Sequence, residues 1–230
     1  MHPFVQRARR TSGLLLPAQW FFLALLISAS NAQAAPDNQL WLDQNFSYPL
    51  SPRVALRWDI VQRFDRDVSH LFQADARIAL ALKPTSWFTF VPGFRHVRHD
   101  PFDPNSRFEN RLVFDAEFQG RRRGPWQPNF RTRIEGRFFE NQRGFLRVRP
   151  RPGVQYTLPV GWQRPPALVV NNEFFFDTRA DRYNRNKLVG GVSLRVTEQF
   201  SLLPYYMLLS NRGRTWRHDN VWGLSTYWNF

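Results

Sequence analysis

The sequence predicts an all-β fold, an antiparallel up-and-down transmembrane β-barrel of about 10–12 strands preceded by a cleaved signal peptide. Three observations predict it. The N-terminus runs from basic to apolar to small residues, the rest of the chain alternates apolar with charged positions at period two, and the last strand ends on an aromatic residue.

Arg7, Arg9 and Arg10 precede apolar stretches at residues 14–16 and 20–27, and Ser28-Ala-Ser-Asn-Ala-Gln-Ala-Ala35 follows. That order is the layout of a secretory signal. Cleavage after Ala34 satisfies the small-x-small rule through Ala32 and Ala34, with Ala32 as an alternative site. A membrane anchor is the competing reading, but Pro17 and Gln19 interrupt the run and leave it short of the roughly 20 residues a span needs. The residues around Arg9-Arg10 fit the twin-arginine motif poorly, so general export is expected. Residues 1–34 are read as signal peptide and 35–230 as one barrel domain.

Composition narrows the classes further. The chain has no cysteine, which excludes disulfides, thiolate metal sites and cysteine nucleophiles. Lys+Arg number 32 against 18 Asp+Glu, a net charge of +14, and Lys83 and Lys187 are the only lysines. A basic, aromatic-rich chain can hold nucleic acid by counterion release. Export argues against that partner and points to lipid phosphates and acidic solutes, which the guanidinium fork matches.

No run of 18 apolar residues follows the leader, which excludes helical spans. Residues 42–48 form a first strand candidate. In 54–64, Val54, Leu56, Trp58, Ile60 and Phe64 alternate with Arg57, Asp59 and Arg63. In 72–82, Ala74, Ala76, Ile78 and Leu80 alternate with Gln73, Asp75 and Arg77. Residues 87–97 make a fourth candidate, interrupted by Pro92. In 110–118, Leu112, Phe114 and Phe118 oppose Arg111, Asp115 and Glu117, and in 130–138 Phe130, Ile134 and Phe138 oppose Arg131, Arg133, Glu135 and Arg137. Leu146, Val148, Val154, Tyr156 and Leu158 oppose Arg147, Arg149 and Arg151, whereas Leu168, Val170, Phe174 and Phe176 oppose Glu173 and Asp177. Leu188, Val192, Leu194 and Val196 share one face, 201–210 is nearly all apolar, and 222–230 closes the series. Period two puts each set on one face of a strand.

A soluble half-buried sheet alternates as well, but an apolar core would not hold long arginines and carboxylates from nearly every strand. The apolar face is also crowded with Phe, Trp and Tyr near strand ends, as in the aromatic girdles of membrane barrels. The charged face is therefore expected to line the lumen. Segments 99–107, 178–186 and 211–219 are polar and fairly long on one side, and 83–86, 120–126, 159–166 and 197–199 lie on the other. Short periplasmic turns and longer external loops then place the C-terminus in the periplasm. The candidates number eleven, whereas single-chain bacterial barrels have even counts. The segments containing Pro92 and Pro150/Pro152, together with 42–48, are the weakest, because proline removes a ladder donor from a sheet with no edge.

In the last strand Trp222, Leu224 and Trp228 share a face with Phe230. It looks like the C-terminal signal read by the barrel-assembly machinery, and with the leader it places the protein in the outer membrane, facing lipid and lipopolysaccharide. The mature chain resembles the domain-of-unknown-function 2490 family of outer-membrane proteins. The resemblance rests on Trp41-Leu-Asp-Gln-Asn-Phe-Ser-Tyr48, Phe108-Glu-Asn-Arg111, Arg131-Thr-Arg-Ile-Glu-Gly-Arg137, Arg147-Val-Arg-Pro-Arg151 and Asn172-Glu-Phe-Phe-Phe176. It implies a barrel, and it brings no activity and no functional residue.

The sequence reveals no reaction. His96, His99, Ser69, Ser210 and His218 fall near expected external strand ends, where a lipid-modifying enzyme would place a nucleophile and base; polar rim residues are the plainer reading. His96-x-x-His99 is not a metal pair on a strand, since the two point to opposite faces, and no cofactor is expected. The lumen arginines and carboxylates can pair and fill a narrow barrel, or leave an anion-preferring path where Arg131, Arg133, Arg137, Arg147, Arg149 and Arg151 outnumber acids. Arg179, Arg182, Arg185, Arg212, Arg214 and Arg217 are expected on the outer rim, placed to grip lipopolysaccharide phosphates. A structural or lipid-interacting barrel, a narrow anion channel and a rim enzyme are the three functions left open.

Overall fold

The computed structural model describes residues 38–140 and 142–230. The leader expected over residues 1–34 lies outside the described residues. Among the described residues the chain contains no helix and forms eleven strands: β1 (Asn38–Ser51), β2 (Val54–Asp65), β3 (His70–Leu82), β4 (Phe88–His99), β5 (Arg107–Gln119), β6 (Trp126–Phe139), β7 (Gln142–Thr157), β8 (Ala167–Asp177), β9 (Arg182–Arg195), β10 (Phe200–Arg212) and β11 (Trp216–Asn229). Each pairs antiparallel with its sequence neighbours, and β1 closes the barrel on β11. Alternation sets the facing as expected. In β3, Gln73, Asp75, Arg77, Ala79 and Ala81 are buried in the lumen, and Ala76, Ile78 and Leu80 lie exposed on the outer surface.

All eleven strand candidates are present, and the even count was the expectation that failed. An odd number of up-and-down strands leaves the first and last running the same way, so closure requires one parallel pair. That seam runs from Asn38↔Asn220 to Ser47↔Asn229. Asn38 and Phe230 consequently sit at opposite ends of the barrel. The difference in loop length also disappears, because the strands extend through the polar segments. At the Asn38 end the connections are 66–69, 100–106, 178–181 and 213–215 together with the step from Phe139 to Gln142, and the longest connection, 158–166, lies at the Phe230 end. There Arg164 donates to Glu198 (Nη2 2.7 Å, Nε 3.1 Å) and holds that carboxyl below its ordinary range.

The prolines are accommodated by opening one ladder and keeping the other. Pro150 and Pro152 pair with Thr132 and Phe130 of β6, but the β7–β8 ladder is interrupted between Val148↔Phe176 and Gly153↔Asn171. Pro92 pairs with Phe114 of β5, and the β3–β4 ladder is open between Ala79↔Gly93 and Leu82↔Phe90. A missing N–H is tolerated where the opposite neighbour still holds the strand.

On the outside, aromatic rings gather towards both ends. Phe46, Trp58 and Phe230 stack in series at 5.1 and 6.2 Å, and Phe200 lies 4.2 Å from Trp228. Towards the Asn38 end Tyr183 contacts Phe174, Phe176 and Trp216 at 5.3–6.0 Å. Exposed Ile60, Ile78, Phe94, Leu112, Phe114 and Ile134 belong to the outer apolar surface. This is the surface of a membrane-type barrel, with apolar side chains outward and aromatic girdles at its borders.

Inside, Tyr205 fastens the seam. It is flanked by Gly191 on β9 and Gly223 on β11, and a Cβ at Gly223 would lie 2.0 Å from its ring. The ring therefore lies across β11, and its hydroxyl donates to Asp43 of β1 at 3.0 Å, beside a second bond from Ser225 at 3.2 Å. Replacing Gly223 with Ala should displace the ring and cost about 1–3 kcal/mol. Asp43→Ala removes both acceptor contacts and should cost about 1–2 kcal/mol. Equilibrium urea titration of the two variants and their combination checks this. The double variant should lose less than the sum, because both changes release the same tyrosine; full additivity would contradict the coupling.

Candidate functional site: the charged lumen

The lumen has two unlike walls. From β2 to β8 it carries alternating arginines and carboxylates joined into one chain of ion pairs. Arg95 bridges Asp75 (3.0 Å) and Asp59 (3.3 Å), and Arg77 bridges Asp59 (2.6 Å) and Asp115 (2.8 Å). Asp115 accepts two bonds from Arg133 (2.6 and 2.8 Å), which approaches Glu135 at 3.9 Å. Arg149 then spans Glu135 (2.7 Å) and Glu173 (2.8 Å), and Glu173 also takes Arg131. The last links cross the proline gap between β7 and β8, so side chains join the two strands where the backbone does not.

A second group sits nearer the Asn38 end. Glu109 accepts Arg111 (2.7 and 2.8 Å), Arg137 and His99 (3.0 Å), and Arg147 pairs with Asp177 at 2.7 Å. Asp115, Glu109 and Glu135 are fully buried, as are the inward Val91, Val97 and Val113. This side of the interior is packed. Toward the Phe230 end Arg57 and Glu117 pair at 3.0 Å while keeping a quarter to a third of their side-chain surface.

The opposite wall, from β9 to β1, is largely uncharged. Trp41, Met207, Leu209 and Val221 form a buried apolar cluster joined by Val189 and Tyr205. Two cavities lie between the walls. One of about 500 Å³ is bordered by Asp43, Arg57, Glu117, Arg151, Tyr227 and Asn229, among others, and one of about 310 Å³ by Gln73, His99, Arg185, Asn211 and Asp219. Trp41, Arg63, Arg149 and Lys187 border both. Arg63 and Lys187 each lie 4.2 Å from the centre of the Trp41 ring.

Every residue expected on the charged face lies on the lumen side. Of the expected rim, Arg179, Arg182, Arg212, Arg214 and Arg217 are exposed at the Asn38 end. Arg185 is not on the rim, because it lies within β9 two residues before the inward Lys187, past the bulge that separates it from the outward Tyr183. There its Nε donates to Asn211 at 2.6 Å. The expected enzyme residues are scattered. Ser69 bonds its own turn at Arg66, His96 bonds Asn110 on the outer face, and His99 bonds Glu109 inside. Ser210 and His218 meet at 2.8 Å (Oγ to Nδ1) as directly opposed residues of β10 and β11 on the outer side.

Arg95, Glu109 and Lys187 escaped the sequence reading although parity could have found them. Arg95 shares the parity of Val97 and His99 and was hidden by the doubt over Pro92. Glu109 lies two residues before Arg111, and Lys187 opposes Leu188 on its strand. Phe175 and Trp41 escaped for a different reason: apolar residues on a charged face carry no signal of their own.

A family model described as "Protein of unknown function (DUF2490)" matches residues 38–218. No curated protein and no solved structure matches the chain.

Removing one member of the buried ladder strands its partners, whereas the exposed pair is screened. Asp115→Ala should therefore cost about 3–5 kcal/mol by leaving Arg77 and Arg133 short of a counter-charge, and Glu117→Ala should cost about 0–1 kcal/mol. Equal urea midpoint shifts for the two variants would contradict the ladder's structural role.

Proposed function

The chain belongs to the DUF2490 family, and from that premise we propose that it is a non-enzymatic outer-membrane barrel, closed to general diffusion, whose arginine rim engages lipopolysaccharide phosphates. The observation that carries this reading is the placement of Arg179, Arg182, Arg212, Arg214 and Arg217 on two successive turns beside the outward aromatic cluster of Phe174, Phe176, Tyr183 and Trp216. Aromatic rings favour the depth of the headgroups, and guanidinium groups beside them meet phosphate with paired hydrogen bonds. The Asn38 end then faces outward and the Phe230 end faces the periplasm. Phe230 closing an outward aromatic stack supports recognition of β11 by the barrel-assembly machinery.

The packed ion-pair wall argues against a wide pore, since an aqueous channel of that kind takes about 16–18 strands. A narrow anion-preferring path is the second reading, favoured by the cations at the common border of the two cavities. Arg131, Arg133 and Arg137 are held by carboxylates, so Arg63 and Lys187 are the side chains that such a path would pass.

Two measurements test the proposal. After cell fractionation the protein should sediment with the outer membrane. Refolded barrel should bind lipopolysaccharide vesicles at least about tenfold more weakly when Arg212, Arg214 and Arg217 are changed to Gln, with no change on phosphatidylcholine vesicles. Planar bilayers should stay free of porin-sized steps. Equal lipopolysaccharide affinity in the variant would remove the rim from the proposal, and large regular steps would remove the closed lumen.

A further inference from the structure

The cations of the lumen fall into two populations. Arg77, Arg95, Arg111, Arg131, Arg133, Arg137, Arg147 and Arg149 each have a carboxylate within ion-pair distance. Arg63, Arg151, Arg185 and Lys187 have none among the described residues; Arg151 borders the larger cavity, and the other three, Lys187 being 7% exposed, border the cavity of about 310 Å³, whose lining also includes Asp219. The hydrogen-bond and ring partners of these three are neutral, and carboxylates act on them only from beyond ion-pair distance, Asp75 and Asp43 on Arg63 and Glu173 on Lys187. Arg63 Nη1 donates to Gln73 at 3.0 Å, Arg185 Nε donates to Asn211 at 2.6 Å, and Lys187 lies over Trp41 at 4.2 Å and Phe175 at 5.3 Å.

The rings hold this group apart. Phe175 is 2% exposed and has Arg147, Arg149, Arg185 and Lys187 around it at 4.5–5.8 Å, and Trp41 stands between Arg63 and Lys187 in the same sense of contact. Cation–π contacts soften the burial of a charge but do not neutralise it. Several like charges removed from water with no counter-charge at ion-pair distance cost more than such contacts return. The same wall also has hydrogen-bond donors to spare, since the buried Nε atoms of Arg63, Arg147 and Arg149 have no acceptor.

We propose that the cavity bounded by Arg63, Arg185 and Lys187 is a binding site for a phosphate-class oxyanion, the free dianion or the terminal group of a small phosphomonoester. Two guanidinium forks and an ammonium supply more donors than a halide can use, and a phosphate offers acceptors in several directions. A dianion also offsets more of the three charges than a monocarboxylate does. Gln39, Gln73 and Asn211 are neutral polar groups at the border, and Asp219, the carboxylate there, accepts from Asn211 at 3.2 Å. The site lies inside the barrel, so its ligand is a soluble anion and not a lipid headgroup. It is independent of the rim arginines and of the barrel's lipid contacts.

The test is calorimetric titration of the refolded, detergent-solubilised barrel with inorganic phosphate at constant ionic strength. We expect saturable binding near one equivalent, weakened at least tenfold in the Arg185→Gln/Lys187→Met double variant and unchanged in the Arg212→Gln/Arg214→Gln/Arg217→Gln variant. Heat-modifiable gel mobility reports whether the double variant folds; if it does not, Arg63→Gln makes the same measurement at the other side of the cavity. Glycerol phosphate in place of inorganic phosphate separates the two ligand sources. Either one binding with this pattern of variant effects supports the site. The absence of saturable binding by both, unchanged binding in the lumen variants, or displacement of phosphate by chloride at equal concentration would each overturn it.

Discussion

A sheet surrounded by apolar solvent can leave no edge unpaired, and the rest of this molecule depends on how that demand is met. Every backbone N–H and C=O must find a partner within the barrel, so β1 has to meet β11 whatever their directions. With eleven strands they meet parallel. That one pairing puts the start of β1 and the end of β11 at opposite rims, and it explains the local chemistry at Asp43, Tyr205 and Gly223. Parallel pairing is slightly weaker per residue than antiparallel, and here two side chains, Tyr205 and Ser225, donate across the junction to a single carboxylate on β1. A tyrosine that crosses a neighbouring strand needs that strand to carry glycine where the ring passes.

The same demand explains why proline occurs so deep in the barrel. Each proline gives up bonds on one side only, and the partner ladder on the other side runs through unbroken. At β7 the consequence is largest, since Pro150 and Pro152 together open the ladder to β8. Arg149 reaches Glu173 across this opening, and Glu173 is held from β6 by Arg131. The ion pairs of the lumen are therefore part of the wall's continuity. This is a more specific role than filling volume, and it accounts for the position of Glu173, the carboxylate of β8 that takes arginines from both β6 and β7.

Much of this was legible in the sequence. Alternation fixes the facing of each strand because a one-residue slip would turn every charge into the lipid, so all charged-face residues from Arg57 to Asp177 were placed correctly from parity. Strand ends were less legible, since polar residues such as Arg182 and Asn211 belong equally well to a loop or to a strand that projects beyond the bilayer. Arg185 was misplaced for that reason, and the loop-length argument for orientation failed with it. Proline misled in the other direction, because a donor count along one strand does not show which neighbour supplies the ladder that survives. The pairings themselves, such as Arg77 with both Asp59 and Asp115, depend on barrel tilt and register and are not contained in the pattern of one strand.

The division of the lumen into two walls is where composition and structure meet. The excess of arginine over acid is not spread evenly. Along β2 to β8 carboxylates are interleaved so closely that the inward arginines other than Arg63 and Arg151 each find one, and the opposite wall supplies Met207, Leu209, Val221 and Tyr205. The surplus collects at the boundary between them, on β2 and β9, where one neighbouring strand belongs to the charged wall and the other to the uncharged one. Trp41 and Phe175 stand at that boundary, where the Trp41 ring face meets both Arg63 and Lys187 and the Phe175 face meets Lys187. Polarity within the barrel is thus organised around the circumference as well as along the axis, and the unmatched charge lies at the junction of the two walls, facing the space that neither wall fills.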